Sequence, residues 1–323
     1  MEYRTLPQID LIVSRVALGT MTFGAQTDEA TGRRMVEICL NSGVNFFDTA
    51  NVYNHGASET ILGNALRGGR ARAVIATKVR GKMGDGADDV GLSRNAIRKA
   101  IEASLQRLAT DYVDIYYLHQ PDYSVPIEET MAAMDELVRE GKVRFVAVSN
   151  YAAWQVAEIH CVCARNGFAA PHISQPLYNL LARGIEEEFL PFCKSYKVGV
   201  IPYNPLAGGL LTGKQRNSTG PIAGTRFDKN QMYLDRYWHA DFFAAVEELE
   251  AVAREAGITL VELSLRWLVA QPEVDSILLG ASRVEQLEQN LAASLGAPLT
   301  ASTLQQCDAV WKRLRGITPK YNR

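Results

Sequence analysis

From about residue 15 to residue 300, short apolar runs rich in β-branched residues alternate with longer amphipathic ones. That rhythm predicts repeated βα units around a parallel sheet. Eight strands are expected: Val16 to Met21, Asn45 to Ala50, Ala73 to Val79, Val113 to His119, Arg144 to Asn150, Ile173 to Tyr178, Val198 to Tyr203 and Ser276 to Ala281. Between them, helical periodicity covers Glu29 to Asn41, Ser58 to Leu66, Arg94 to Leu108, Ile127 to Glu140, Ala152 to Asn166 and Glu186 to Ser195, then a pair from Asp241 to Ala270 and Val284 to Leu291. Ile127, Met131, Met134, Leu137 and Val138 form an apolar stripe suited to the outside of a barrel. Asp28, Ser93 and Ser282 are expected N-caps, and Gly43, Gly141, Gly167 and Gly257 fall where left-handed C-terminal residues belong.

Eight strands over about 285 residues match a closed (β/α)8 TIM barrel, although an open doubly wound sheet has the same local rhythm. The exit of the first strand, Gly19-Thr20-Met21-Thr22-Phe23-Gly24, is not a G-x-G-x-x-G fingerprint and so argues against the open sheet. The expected organisation is one α/β domain. Residues 1–14 form a hairpin capping the barrel, 15–300 the barrel itself, about 213–237 a long loop over the active face, and 301–323 a C-terminal helix and tail.

Charge narrows the function. Lys plus Arg number 34 and Asp plus Glu 36, so no strong field draws in nucleic acid or an anionic membrane, and neither partner is expected. The N-terminal residues lack a signal-type apolar segment and no run is long enough to span a bilayer, which makes a cytoplasmic location the expectation. Five scattered cysteines, Cys39, Cys161, Cys163, Cys193 and Cys307, suit reduced thiols, and no metal site is expected. Homo-oligomerisation is left open.

In a barrel, residues just past the C-terminal strand ends converge on one mouth. Those exits supply Asp48 and Tyr53 after the second strand, Lys78 at the end of the third and His119 at the end of the fourth. Carbonyl reduction needs hydride at carbon and a proton at oxygen, and a tyrosine hydroxyl can give that proton if a neighbour stabilises the phenolate. A buried ammonium would lower the phenol pKa from its usual value of about 10. Asp48 would keep Lys78 charged, and His119 could donate to the carbonyl oxygen.

Phe47-Asp48-Thr49-Ala50-Asn51-Val52-Tyr53 with Gly56 and Ser58-Glu59, then Thr77-Lys78, Asp114-Ile115-Tyr116-Tyr117-Leu118-His119 and Val148-Ser149-Asn150, resemble the aldo-keto reductase signature in the same order. The resemblance runs from Leu18 to Asn290. It relates the chain to the bacterial sugar and aldehyde reductases and to the potassium-channel β-subunit-like branch. It implies that Asp48, Tyr53, Lys78 and His119 are a catalytic tetrad with Tyr53 as general acid, and that the cofactor is NADPH/NADP+.

The resemblance also assigns Ser149, Asn150 and Gln175 to the nicotinamide carboxamide and Tyr203 to the face of its ring. Gly19, Thr20 and Met21 at the first strand exit belong to the same cofactor set. Asn204, Pro205, Leu206, Gly208 and Lys214 follow the seventh strand, where glycines let backbone amides approach a pyrophosphate, and Arg226 lies in the loop beyond. Gly280, Ser282 and Arg283 lead into the last helix, which carries Gln286, Gln289 and Asn290; a helix start beside an arginine suits the adenosine phosphate. Gln289 departs from the acidic residue many members have near the adenine. Phe23, Tyr53, Met83, His119, Tyr123 and Tyr151 are the expected pocket for a small carbonyl or sugar substrate. Two other functions carry the same residues: a regulatory subunit resembling the channel β subunits, against which the early start of the barrel weighs, and a sugar or polyol dehydrogenase working in the oxidative direction.

Overall fold

A computed structural model of the chain describes residues 1–317; the tail expected within 301–323 lies, from residue 318 on, outside the described residues. The chain begins with β1 (Tyr3–Thr5) and β2 (Ile12–Ser14), paired antiparallel as a hairpin. The barrel strands are β3 (Val16–Gly19), β4 (Phe46–Asp48), β5 (Val74–Val79), β6 (Val113–Leu118), β7 (Val143–Ser149), β8 (Ile173–Gln175), β9 (Gly199–Val200) and β10 (Ile277–Gly280). All pair in parallel in the order β10-β3-β4-β5-β6-β7-β8-β9. The ring closes between β9 and β10: Asp275 N donates to Val200 O at 2.9 Å and Leu278 N to Pro202 O at 3.2 Å. Strands β8 and β9 stop short of their expected ends because Pro176 and Pro202 have no N–H to give to a ladder.

The outer ring comprises α1 (Glu29–Asn41), α2 (Ala57–Ala65), α3 (Arg94–Leu108), α4 (Ile127–Arg139), α5 (Ala153–Asn166), α6 (Phe189–Tyr196), α7 (Gln231–Tyr237), α8 (Ala240–Glu255), α9 (Leu260–Val269), α10 (Val284–Ser294) and α11 (Ala301–Arg315). Asp28 and Ser93 cap α1 and α3 by accepting from Thr31 N and Ala96 N. The start of α10 corrects the sequence reading. Its N-cap is Arg283, while the Ser282 amide and hydroxyl both donate to the Gln286 side chain, each at 3.1 Å. On α4, Met131, Met134 and Leu137 are wholly buried, with Ile127 and Val138 packed at the margin of the same cluster. Cys161 is exposed and Cys163 buried, as a two-residue step on a helix requires. No helix among the described residues is long and apolar enough to cross a membrane.

Strand alternation divides the core in two. Residues of one parity, among them Ala17, Phe46, Val74, Ala76, Ile115, Tyr117, Ala147, Ile173, Ile201 and Leu278, fill the barrel; Leu6, Leu11 and Val13 of the hairpin region close its lower end. Residues of the other parity, such as Phe47, Ile75, Tyr116 and Val148, face the helices. Each inward column continues upward by steps of two, from Phe46 to Asp48, Ala76 to Lys78, Tyr117 to His119, Ile173 to Gln175 and Ile201 to Tyr203. An apolar interior therefore ends in a polar ring at the C-terminal mouth.

Candidate active site

At the centre of that ring is Lys78, with 0% of its side chain exposed. Its ammonium pairs with Asp48 Oδ1 and donates to Thr49 O at 2.8 Å. Gln175 Nε2 donates to the second Asp48 oxygen at 2.9 Å, so the carboxylate is held on both sides. Burial alone would drive the lysine toward its neutral form, but the charge of Asp48 and contact with Tyr53 prevail and leave its pKa above the ordinary value. Lys78 Nζ lies 5.1 Å from the centroid of the Tyr53 ring, and the Tyr53 and His119 rings meet edge to face at 5.9 Å. The four side chains expected to converge do so.

The phenol corrects one expectation. Burial raises the Tyr53 pKa, Lys78 opposes that shift, and the net direction is upward rather than downward. Tyr53 is therefore a well-protonated donor whose ionised form Lys78 makes less costly. Burial, Lys78 and Arg80 together depress the His119 pKa to about 3, leaving a neutral imidazole.

Tyr53 reaches this position through an unusual turn. Asn54, His55 and Gly56 have φ values of 50°, 53° and 89°, three consecutive residues in the left-handed region. Such backbone costs roughly 1–2 kcal/mol per non-glycine residue. Here the Asn54 amide offsets it by donating to Met21 O at 3.0 Å and Phe23 O at 2.6 Å. Gly56 is obligatory for a second reason, since a Cβ there would come within 2.6 Å of the Arg107 side chain, which is bound to buried Glu59.

A cleft of about 1540 Å³ runs from this mouth across the barrel top to the start of α10. Of the residues expected to hold a cofactor, Gly19, Met21, Asp48, Ser149, Asn150, Gln175, Tyr203, Asn204, Pro205, Leu206, Gly208, Lys214, Arg226, Gly280, Ser282, Arg283, Gln286, Gln289 and Asn290 all line it. Thr20 does not; it is buried behind the wall, donating to Asp48 O at 3.0 Å. Asn150 Nδ2 donates to His119 O at 2.9 Å and its Oδ1 accepts from Tyr203 at 2.7 Å, which joins the two halves of the ring. The buried Asn204 Nδ2 has no partner among the described residues. Over the cleft, Arg226 donates to the Tyr233 hydroxyl at 2.9 Å and Gln26 to Gly224 O at 3.1 Å, tying the 213–237 segment to the first strand exit.

The expected substrate pocket is only partly present. Tyr53 and His119 line the cleft, but Phe23, Met83, Tyr123 and Tyr151 do not. Phe23 follows a turn closed by its N–H to Thr20 O and packs inward on Gly32. Met83 is held half-buried in its own loop through its N–H to Asp89 O, and Tyr151 is buried. Tyr123 is 85% exposed, its hydroxyl accepting from Gln155 outside the mouth. Val52, Arg80, Gln120, Met232, Tyr233 and Arg236, none of them expected from the sequence, line the cleft instead. Arg80 carried a legible signal, since it stands two residues beyond Lys78.

An eight-stranded parallel barrel whose C-terminal face holds a long cleft and a buried Lys–Asp pair has the build of an enzyme. The model of the "Aldo/keto reductase family" matches residues 15–312, and the chain belongs to that family of oxidoreductases. It is similar to human "Aldo-keto reductase family 7 member A3", 37% identical with 95% of this chain and 96% of the relative covered. It is also similar to human "Aflatoxin B1 aldehyde reductase member 2", at 37% with 95% and 89% covered. The "Probable voltage-gated potassium channel subunit beta" of Oryza sativa subsp. japonica is 36% identical, with 96% of each chain covered.

Proposed function

We propose that this protein is an NADPH-dependent reductase of aldehydes, ketones or keto sugars, with Tyr53 as the general acid. One observation carries the reading: a fully buried lysine, kept charged by Asp48, lies against a tyrosine at the mouth of a long cleft. The names of the aldehyde-reductase relatives point the same way.

The cleft fits a dinucleotide. Gly208 and Gly209, with φ of 68° and 107°, turn the backbone sharply at its middle, and a Cβ on Gly208 would strike Tyr233 at 2.7 Å. The unpartnered Asn204 amide offers a donor beside them. Lys214 and Arg226 suit the pyrophosphate, while Arg283 and the first-turn amides of α10 suit the adenosine 2′-phosphate. Ser149, Asn150 and Gln175 present hydroxyl and amide groups for a carboxamide, and Tyr203 supplies a flat wall. Bound there, the reduced nicotinamide supplies the hydride.

The protein's own part is the proton. Tyr53 donates its hydroxyl hydrogen to the substrate oxygen as negative charge develops there, and Lys78 stabilises the phenolate that remains. Asp48 holds Lys78 charged and in place. His119, being neutral, donates an N–H to the same oxygen without competing as an acid. The reverse reaction uses the same groups, with the Tyr53 phenolate as base.

Replacing Tyr53 by Phe keeps the ring and removes the proton donor. The variant should lose a factor of about 10² to 10⁴ in kcat, the usual worth of general acid catalysis, while NADPH binding measured by fluorescence stays near that of the unmodified protein. A loss below tenfold would overturn the assignment. The second reading, a nucleotide-binding channel subunit, is favoured by the names of the plant relatives. Multiple turnovers on any member of a carbonyl panel support the enzyme; a single slow oxidation of bound cofactor across the whole panel supports the subunit.

A further inference from the structure

Five cationic side chains line the cleft without a carboxylate partner among the described residues: Arg80, Lys214, Arg226, Arg236 and Arg283. Elsewhere, several partly buried arginines are neutralised, Arg70 by Asp114, Arg107 by Glu59, Arg183 by Glu186 and Arg266 by Glu262, while Arg15 is taken up by backbone oxygens. Lys214, Arg226 and Arg283 have an anionic counterpart in the phosphates of a dinucleotide, and Arg236 lies over the Tyr233 ring, 5.9 Å from its centroid. Arg80 is left over. It borders the opposite end of the cleft, with Val52, Tyr53, Gly81, His119 and Gln120.

Its placement is built rather than incidental. Arg80 has φ of 124°, a conformation that residues with a side chain seldom adopt and that tends to persist at functional sites. The segment is pinned by Gly91 N donating to Arg80 O and by His119 N donating to Val79 O, both at 3.0 Å. Just beyond it, Gly81 packs against Val52, where a Cβ would sit 2.6 Å from the valine. The hydrogen-bond partner of the guanidinium is neutral: with the Gln120 carboxamide oxygen turned toward it, Nη1 and Nε both donate to it, Nε at 3.2 Å, which fixes the guanidinium without neutralising it. Asp122 feels the charge of Arg80 but is engaged elsewhere, accepting from Leu92 N at 2.8 Å and from Ser124 N and Oγ at 3.1 and 2.6 Å.

We infer that Arg80 binds a carboxylate on the substrate, so that the compound reduced is an oxo acid whose carbonyl oxygen meets Tyr53 and His119 while its carboxylate meets the guanidinium. This rests on the reductase reading of the same mouth. A guanidinium offers two parallel donors to the two oxygens of a carboxylate, and a single one balances a single negative charge. The chemistry is unaltered: hydride adds to the carbonyl carbon, the Tyr53 proton to its oxygen, and the carboxylate is bystander and handle.

The test compares 4-carboxybenzaldehyde with its neutral near-isostere 4-methylbenzaldehyde, in the full-length protein and in Arg80→Gln and Arg80→Lys. In the unmodified protein kcat/KM should favour the carboxylate at least tenfold. Arg80→Gln should cut that preference by a factor of ten or more, through KM rather than kcat, and Arg80→Lys should retain part of it. Calorimetric binding of 4-hydroxymethylbenzoate in the presence of NADP+ should weaken by a similar factor in Arg80→Gln, with thermal melting reporting that the variant is folded. An unmodified protein that reduces the methyl compound but has no preference for the carboxylate refutes the anion site and leaves the reductase reading standing. Turnover of neither aldehyde, with the benzoate still bound through Arg80, does the reverse. Stronger use of glyceraldehyde 3-phosphate than of the carboxylated aldehyde would overturn the carboxylate assignment.

Discussion

Two charged regions of the cleft, the Lys78–Asp48 pair at the mouth and the cations at the α10 end, handle charge in opposite ways. At the mouth, Lys78 is wholly buried and its charge is matched by Asp48, which Gln175 fixes from the other side. At the α10 end, Lys214 and Arg283 are exposed and have no carboxylate partner among the described residues. A buried, paired charge keeps its geometry whether or not a ligand is present, and so can act on a proton. An exposed, unpaired charge is held in water until an anion arrives, and so can contribute affinity and selectivity. The Lys78–Asp48 pair is preorganised, whereas the unpaired cations are left open to an incoming anion.

Breaking the paired end should have the largest effect. Lys78→Met removes the support for the Tyr53 phenolate and strands Asp48 in the barrel, where an uncompensated charge typically costs about 3–5 kcal/mol. Steady-state activity should fall by at least the 10² to 10⁴ expected of Tyr53→Phe, and thermal unfolding should show a clear loss of stability. Adding Asp48→Asn should restore much of the stability and none of the activity; recovery of neither would mean that the pair is not the source of the cost.

At the open end the effect should be smaller and selective. Arg283→Ala should raise the KM or Kd for NADPH by roughly tenfold, equivalent to the 1.5–3 kcal/mol of a charged hydrogen bond, and leave NADH nearly unaffected. Equal weakening of both cofactors would move the reading of the 2′-phosphate to Lys214 or Arg226. The fold should be indifferent to this change, since Arg283 is exposed.

The smallest effect is an expected absence of one. Because the His119 pKa is depressed to about 3, its imidazole stays neutral at every pH above about 4, and a solution-like histidine transition near pH 6.5 should not occur. Because the Tyr53 pKa is raised, the acid remains protonated through neutral pH and is lost only on the far alkaline side. The pH profile of kcat/KM for reduction should therefore be flat from about pH 5 to 9. An acid limb near pH 6.5 that disappears in His119→Gln would contradict the neutral imidazole.

The same contrast governs what was legible in the sequence. Barrel strands obey a strict period of two, so inward positions extend to Asp48, Lys78, His119, Gln175 and Tyr203 without reference to any loop. Residues past the strand ends obey tertiary packing instead. Phe23 reads as a pocket aromatic, but a turn on Thr20 sends it into the core; Tyr123 reads the same way and ends up outside the mouth. The chain could not reveal that burial would outweigh Lys78 in setting the Tyr53 pKa, because that balance depends on how closely the wall surrounds the phenol. Ser282 has the chemistry of an N-cap, yet Gln286 takes its hydroxyl and shifts the cap to Arg283.

The barrel seam has a consequence for how the chain is made. The first and last barrel strands, β3 and β10, are paired neighbours although they stand about as far apart in sequence as the barrel allows, and Arg15 reaches across to the backbone oxygens of Val269, Val274 and Asp275. During synthesis the first strand therefore emerges with one edge unsatisfied and must wait for nearly the whole polypeptide before its neighbour appears. Loop closure over such a span is slow, and an open apolar edge is a template for pairing with another chain. Until β10 docks, pairing with another chain can compete with closure, and the final strand ends that competition by leaving no edge to share.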